Sequence, residues 1–124
     1  MTFQNVLLVF LGGGLGSVLR YLLSRNLYPL FSSAITGTFV VNIIGSLIIG
    51  FIIGFEIKNM IEKPTVLLLV TGFCGGFTTF SSFTLENFNL FKSGDYLQGL
   101  FYILLSVILG LLAVGLGFFM AKQF

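Results

Sequence analysis

Residues 72–83 read Gly-Phe-Cys-Gly-Gly-Phe-Thr-Thr-Phe-Ser-Ser-Phe and lie inside a charge-free run, 64–85, that is long enough to cross a bilayer. This stretch contains three glycines, four hydroxyl side chains and four phenylalanines, where a plain membrane helix would carry Leu and Ile. Hydroxyls and irregular backbone are tolerated at membrane depth only where they face protein or a polar path. The stretch therefore predicts a broken membrane helix that lines an ion pathway, with the break between Gly72 and Thr79.

The composition of the whole chain is that of a membrane protein. Its 124 residues are 56% hydrophobic and 8% charged, and a soluble domain of this size cannot bury so much apolar surface. Four uncharged runs, 1–19, 26–55, 64–85 and 96–121, each hold about the 20 apolar residues that a spanning helix needs. We predict an all-α integral membrane protein, a single domain over 1–124 with spans at about 3–23, 34–55, 64–85 and 96–121.

Several classes of function do not fit this composition. The net charge of +2 gives no reason to expect a nucleic-acid partner, and with one cysteine and no histidine a transition-metal site is not expected. By the predicted boundaries, all four acids lie at helix ends or in loops: Glu56, Glu62, Glu86 and Asp95. The absence of an acid within any predicted span argues against proton-coupled transport and against paired-carboxylate catalysis. We therefore expect no enzyme.

The positive charges do not favour one orientation in the membrane. With four spans, Lys58, Lys63 and Lys122 fall on the side of the termini, and Arg20, Arg25 and Lys92 fall on the other side. Orientation is normally set by an excess of Lys and Arg in the cytoplasmic loops. Equal counts predict dual topology, which would allow an antiparallel homodimer with the inverted symmetry that larger transporters build from internal repeats. The alternative is one orientation fixed by other factors.

Two predicted helices carry polar stripes at a spacing of four residues, which places each stripe on one helix face. The stripe on the second helix is Thr38, Asn42 and Ser46, and that on the fourth is Tyr102, Ser106 and Gly110. An amide in the middle of a span is costly unless it is bonded, so Asn42 is either a donor to a permeant or a contact between helices. Tyr102 is either part of the lining or an aromatic residue at the membrane interface.

Glycines recur in pairs four residues apart. At Gly12/Gly16 and Gly50/Gly54 we predict close helix packing, as in other small-xxx-small pairs. At Gly72/Gly76 the neighbouring threonines favour real unwinding of the helix. Carbonyl oxygens at such a break are cation ligands in membrane proteins.

The deep polar groups indicate an anion as the permeant. They are neutral donors, an amide and hydroxyls, and the edges of phenylalanine rings carry positive partial charge. An anion can be partly dehydrated against such groups without being trapped by a fixed charge, and conduction needs that balance.

Three ordered motifs resemble one known family. Residues 13–21 (GGLGSVLRY), 37–45 (GTFVVNIIG) and 72–83 (GFCGGFTTFSSF) are similar to the GGxGAxxRY, GTLxVNxxG and GFCGGxTTFSTF segments of the Fluc (CrcB) fluoride channels. The resemblance covers all four spans. It implies an antiparallel dual-topology homodimer in the bacterial inner membrane, with two pores and a central structural sodium ion. The activity it implies is passive export of fluoride from the cytoplasm.

The resemblance also assigns roles to residues. It implies fluoride binding by Asn42 and paired phenylalanines, Phe80 and Phe83, along the fluoride path. The polar track that it implies contains Thr38, Thr79, Ser81, Tyr102 and Ser106, with Arg20 in a vestibule. It implies that the backbone carbonyls of Gly75 and Thr78 bind sodium. Ser17 replaces the usual alanine, and Gly110 stands where members often carry a hydroxyl, so that donor is absent.

Two rival functions remain for comparison. A small dual-topology exporter of organic cations, driven by protons, would need a carboxylate within a span. A purely structural subunit would explain the glycines, but not the polar stripes beside a hydroxyl-rich break.

Overall fold

The computed structural model describes residues 2–31 and 34–124, and these are helical almost throughout. The elements are α1 (Phe3–Phe31), α2 (Ala34–Ile57), α3 (Lys63–Val66), a π-helix (Leu67–Cys74), α4 (Gly75–Phe77), α5 (Phe80–Ser93) and α6 (Tyr96–Lys122). Within the described residues, four stretches are long and apolar enough to span a membrane: Phe3–Tyr28, Ile35–Ile57, Lys63–Ser93 and Tyr96–Ala121. The third of these, which we call the third membrane helix, comprises α3, the π-helix, α4 and α5 and is interrupted before α5.

Two helices extend beyond their predicted ends. α1 continues to Phe31, beyond the predicted end of the first span at about residue 23. Arg25 donates from Nη1 to the hydroxyl of Tyr21 one turn earlier, at 3.2 Å. A helix can continue through polar residues beyond the apolar layer, because water or neighbouring side chains satisfy their hydrogen-bonding groups there.

The third membrane helix also continues, to Ser93 rather than to about residue 85. It ends at Gly94, whose φ of 87° is left-handed, and the amide of Asp95 donates back to the carbonyl of Leu90 at 2.9 Å. This is the Schellman type of helix end, which glycine favours. Residues 86–93 are thus helix and not the beginning of a loop.

The glycine pairs on α1 and α2 are packing positions, as predicted. A Cβ at Gly50 would overlap the carbonyl of Val114, and one at Gly54 would overlap the Cβ of Ala121, so these glycines let α2 and α6 lie against each other. On α1, a Cβ at Gly12 or at Gly16 would overlap backbone of the third membrane helix.

The prediction that Gly72 and Gly76 unwind is wrong. Gly72 lies in the π-helix and Gly76 in α4, and both pack against the backbone of α1 at Gly12 and Gly13. Both glycines are therefore required for the close approach of the two helices.

The break in the third membrane helix lies at Thr78 and Thr79, at the end of the predicted interval. Thr78 has φ −81° and ψ 159°, and Thr79 has φ −149° and ψ 117°, both extended. Thr79 then caps α5, because its hydroxyl accepts a hydrogen bond from the amide of Ser82 at 3.2 Å. We refer to Thr78 and Thr79 as the break.

Candidate functional site

Asn42 on α2 is bonded to both peptide groups of Thr79. Its Nδ2 donates to the carbonyl of Thr79 at 3.1 Å, and its Oδ1 accepts from the amide of Thr79 at 2.8 Å. A side-chain amide has two N–H groups, so one of them remains after this pairing. Asn42 is therefore a contact between α2 and the break, and it still has one N–H to offer a ligand.

These hydrogen bonds explain why two carbonyls at the break lack their helical partners. In a continuous helix the amide of Thr79 would bond to Gly75 and that of Ser82 to Thr78. Here the first amide donates to Asn42 and the second to the hydroxyl of Thr79. The carbonyls of Gly75 and Thr78 are thus among those that the break releases from the helix, and the family resemblance assigns these two to sodium.

A cavity of about 290 Å³ opens beside the break, and we call it the first cavity. Most of the residues predicted for the pore line it, namely Asn42, Thr79, Phe80, Phe83 and Ser106. Thr78 and Ser46 line it as well. The rings of Phe80 and Phe83 lie with their centroids 5.8 Å apart. Its polar groups are an amide and hydroxyls, so it carries no fixed charge.

Ser106 contributes an unsatisfied donor to the first cavity. Its Oγ is buried and has no hydrogen-bond partner in the part of the chain that the structure describes. A buried hydroxyl without a partner costs about 1–3 kcal/mol, so Ser106 has a donor to offer once its Oγ is reached from this cavity.

A second cavity, of about 410 Å³, lies on the other side of the break. Arg20, Thr38, Ser82 and Glu86 line it, and Thr79 lines both cavities. Arg20 donates from Nε to the carbonyl of Gly76 at 3.0 Å. The predicted vestibule residue is thus held beside the break.

Three of the residues predicted for the pore lie apart from the first cavity: Thr38, Ser81 and Tyr102. Thr38 lines the second cavity and not the first. Ser81 is exposed and lines neither cavity. Its Oγ lies 3.2 Å from the hydroxyl oxygen of Thr79.

Glu86 is the polar residue that the sequence analysis misplaced. It lies inside α5, and both of its oxygens are bonded: Thr38 donates to Oε1 at 2.6 Å, and the hydroxyl of Tyr102 donates to Oε2 at 2.8 Å. The expectation that no carboxylate lies within a span is therefore wrong. It failed because the span was ended at its first charge, whereas Gly94 marks the true helix end.

Tyr102 belongs to this network and not to an interfacial aromatic belt. Only 6% of its surface is exposed, and its ring packs edge-on against Phe83 with the centroids 5.0 Å apart. Through Glu86, the side chains of Thr38 and Tyr102 join α2, α5 and α6 next to the two cavities.

Comparison with known proteins decides the family. The family model described as CrcB-like protein, Camphor Resistance (CrcB), matches residues 7–118, which include every site residue above. The chain belongs to the CrcB family. The resemblance inferred from the three motifs is confirmed.

Curated members of the CrcB family match nearly the whole chain. A protein of Gloeothece citriformis named fluoride-specific ion channel FluC is 50% identical over 120 residues, covering 96% of this chain and 98% of its own. Proteins of the same name from Azobacteroides pseudotrichonymphae and Bacteroides fragilis are each 43% identical, over 123 and 125 residues, and cover 98% of both chains. With its four apolar helices, this member of the family is a multi-pass bacterial membrane protein.

The Glu86 network gives a stability prediction. In Glu86→Gln the new NH₂ group cannot accept a hydrogen bond, so either Thr38 or Tyr102 loses its acceptor. We expect the free energy of unfolding in mixed micelles to fall by about 1–3 kcal/mol. Tyr102→Phe should lower the free energy of unfolding less in the Glu86→Gln variant than in the unmodified protein, because the two changes remove one shared interaction.

The matched control is Glu62→Gln, which alters an exposed carboxylate at the start of α3. It should leave the free energy of unfolding nearly unchanged. Additive losses for Glu86→Gln and Tyr102→Phe would contradict the network.

Proposed function

We propose that this protein is a fluoride channel that lets fluoride leave the cytoplasm passively and so lowers its toxicity. Family membership and the names of the relatives support a channel for this ion. The observation that carries the proposal is the first cavity, where neutral donors and two phenylalanine rings meet beside a helix break. A channel of this kind is not an enzyme.

The first cavity has the chemistry that a conducted anion needs. The remaining N–H of Asn42 and the unpartnered hydroxyl of Ser106 are donors without net charge. Phe80 and Phe83 add positive ring edges. Such groups replace part of the hydration of fluoride and still allow it to leave.

The second cavity is suited to anion entry. Two arginines, Arg20 and Arg25, line it together with Glu86, and positive charge in a low-dielectric cleft raises the local anion concentration. We assign the vestibule role to Arg20 on this basis.

Thr38 and Tyr102 have a different position in the proposed path. Both hydroxyls are engaged by Glu86, so they can serve fluoride only when the carboxylate releases one of them. Thr79 faces both cavities and connects the two regions, and Ser81 reaches the path only through its contact with Thr79.

Proton-coupled export of organic cations is less well supported. Glu86 does supply a carboxylate inside a span, contrary to our expectation from the sequence. Both of its oxygens, however, accept hydrogen bonds from hydroxyls, and the relatives are named as fluoride channels.

A flux measurement tests the channel function. Purified protein in liposomes should release fluoride rapidly, as followed with an ion-selective electrode, and should release negligible chloride. Phe80→Ile and Phe83→Ile keep bulk but remove the ring edges, so each should slow fluoride by up to about tenfold. Phe101→Ile, at a residue 56% exposed on α6, is the matched control and should conduct normally.

Two results would contradict the proposal. Fluoride movement coupled in fixed ratio to protons would indicate a transporter. Absence of fluoride flux from an intact, correctly assembled preparation would exclude a fluoride channel altogether.

The assembly that we propose is an antiparallel homodimer with two pores. Gly75, Ser81 and Phe80 are exposed near the middle of the third membrane helix, and Phe80 is 76% exposed. Released carbonyls and hydroxyls in contact with lipid would be costly, because lipid offers them no hydrogen bonds. A second copy that covers this surface removes the cost, and the equal charge counts allow that copy to be inverted.

The dual topology has a direct test. Reporters placed at Lys63 and at Lys92 should each be found on both faces of the membrane. Two or three lysines added on one side should fix a single orientation and lower flux, because antiparallel pairs can then no longer form. If the unmodified chain inserts in one orientation only, the antiparallel dimer is excluded.

A structural sodium ion fits the chemistry of the break. The carbonyls of Gly75 and Thr78 have lost the amides that a helix would provide, and two chains would offer four such oxygens. These ligands are neutral, which suits a monovalent ion better than Ca²⁺ or Mg²⁺, whose sites usually include carboxylates. The ion would hold the two chains together.

Replacing sodium by a large organic cation should weaken the dimer and lower flux. Thr78→Ser should be silent, since the proposed ligand is a backbone oxygen and serine can keep the bond of the hydroxyl to Cys74. Gly75→Val should weaken the dimer through the partner chain alone, because Gly75 has an ordinary helical φ of −61° and a Cβ there meets only the carbonyl of Val70, at 3.9 Å. A stable, fully active dimer after verified sodium removal would exclude the ion.

A further inference from the structure

Ser46 lies beside the first cavity without an assigned role. It follows Asn42 by one turn on α2, about 5.4 Å along the helix, and it lines the same cavity as Asn42 and Ser106. It is therefore placed on the side of Asn42 that is remote from Thr38 and the second cavity.

Ser46 faces Gly110 of α6. A Cβ built at Gly110 would meet one side-chain atom within 4 Å, the Oγ of Ser46, at an ordinary contact distance of 3.8 Å. Gly110 is one turn beyond Ser106, whose own hydroxyl is buried without a partner in the described residues. The wall of the cavity on α6 thus offers a hydroxyl at position 106 and none at 110, and the hydroxyl next to the bare position comes from α2.

We propose that Ser46 is a donor of the fluoride path, which supplies from α2 the hydroxyl that α6 lacks at Gly110. The inference rests on the proposed channel function and extends it by one residue. With Asn42 and Ser106, Ser46 completes a set of three neutral donors on adjacent turns of two helices. A partly dehydrated halide leaving Asn42 meets the Ser46 hydroxyl next, one turn further along α2 in the same cavity.

The experiment moves the hydroxyl from one helix to the other. Fluoride efflux from liposomes is measured for the unmodified protein, Ser46→Ala, Ser46→Ala with Gly110→Ser, and Ser46→Ala with Gly110→Ala. Ser46→Ala removes one hydrogen bond to the ion, so its fluoride efflux should be about tenfold slower than that of the unmodified protein. Gly110→Ser should recover most of that loss, because the neighbourhood of Gly110 has room for a small side chain.

Gly110→Ala is the matched control, since it adds the carbon atom without the hydroxyl and should recover nothing. Size-exclusion chromatography confirms that each variant remains assembled. If Gly110→Ser does not assemble, Ser46→Cys replaces it: a thiol is a weaker donor than a hydroxyl, so its rate should fall between those of the unmodified protein and Ser46→Ala.

The outcomes separate this inference from the proposed function. Unmodified protein that conducts fluoride, together with Ser46→Ala at the same rate, would overturn the role of Ser46 and leave the channel intact. Equal rates for the Gly110→Ser and Gly110→Ala double variants would overturn the exchange of hydroxyls between helices. Unmodified protein that does not conduct would overturn the channel itself.

Discussion

The two hydrogen bonds between the side chain of Asn42 and the backbone of Thr79 are the interaction on which the site depends. An extended residue in the middle of a span leaves its amide and carbonyl without helical partners, and each such group costs several kcal/mol in hydrocarbon. One carboxamide satisfies both groups of Thr79. Because α2 supplies this carboxamide, the position of the break is fixed relative to the polar face of α2, and the two cavities form on either side of it.

The other groups around the break are satisfied selectively. The carbonyl of Gly76 accepts hydrogen bonds from Arg20 and Ser17 on α1, at 3.0 and 3.3 Å. These donors reach it because the glycines of α1 and α4 let the two backbones approach closely. The carbonyls of Gly76 and Thr79 are thus satisfied within one chain, whereas those of Gly75, Phe77 and Thr78 receive no such donor from the described residues. That selectivity is the physical reason to look for a cation and a second chain at this place.

The sequence predicted the elements whose signals are local, and it failed where long-range contacts decide. The four apolar spans follow from composition, and the interval containing the break follows from the hydroxyls after Gly76. Unwinding at Gly72 was wrong because a glycine required by a neighbouring helix looks the same in sequence as one required by a turn. Glu86 was misplaced because its partner Thr38 is 48 residues away, and no local pattern shows that a charge will find two hydroxyls inside the bundle.

The stripes on α2 and α6 run in register, and their order limits what each pair can do. Thr38 and Tyr102 both bond to Glu86, Asn42 and Ser106 line the first cavity together, and Ser46 lies beside Gly110. One further turn along, Gly50 packs directly on the backbone of Val114, so no space remains between the helices. Polar character therefore falls step by step from a carboxylate to an amide, to single hydroxyls, and then to close apolar contact. At the first pair both hydroxyls are already bonded to the carboxylate, and the last pair offers an anion no donors. The neutral middle pairs are thus where it can be held weakly enough to move on.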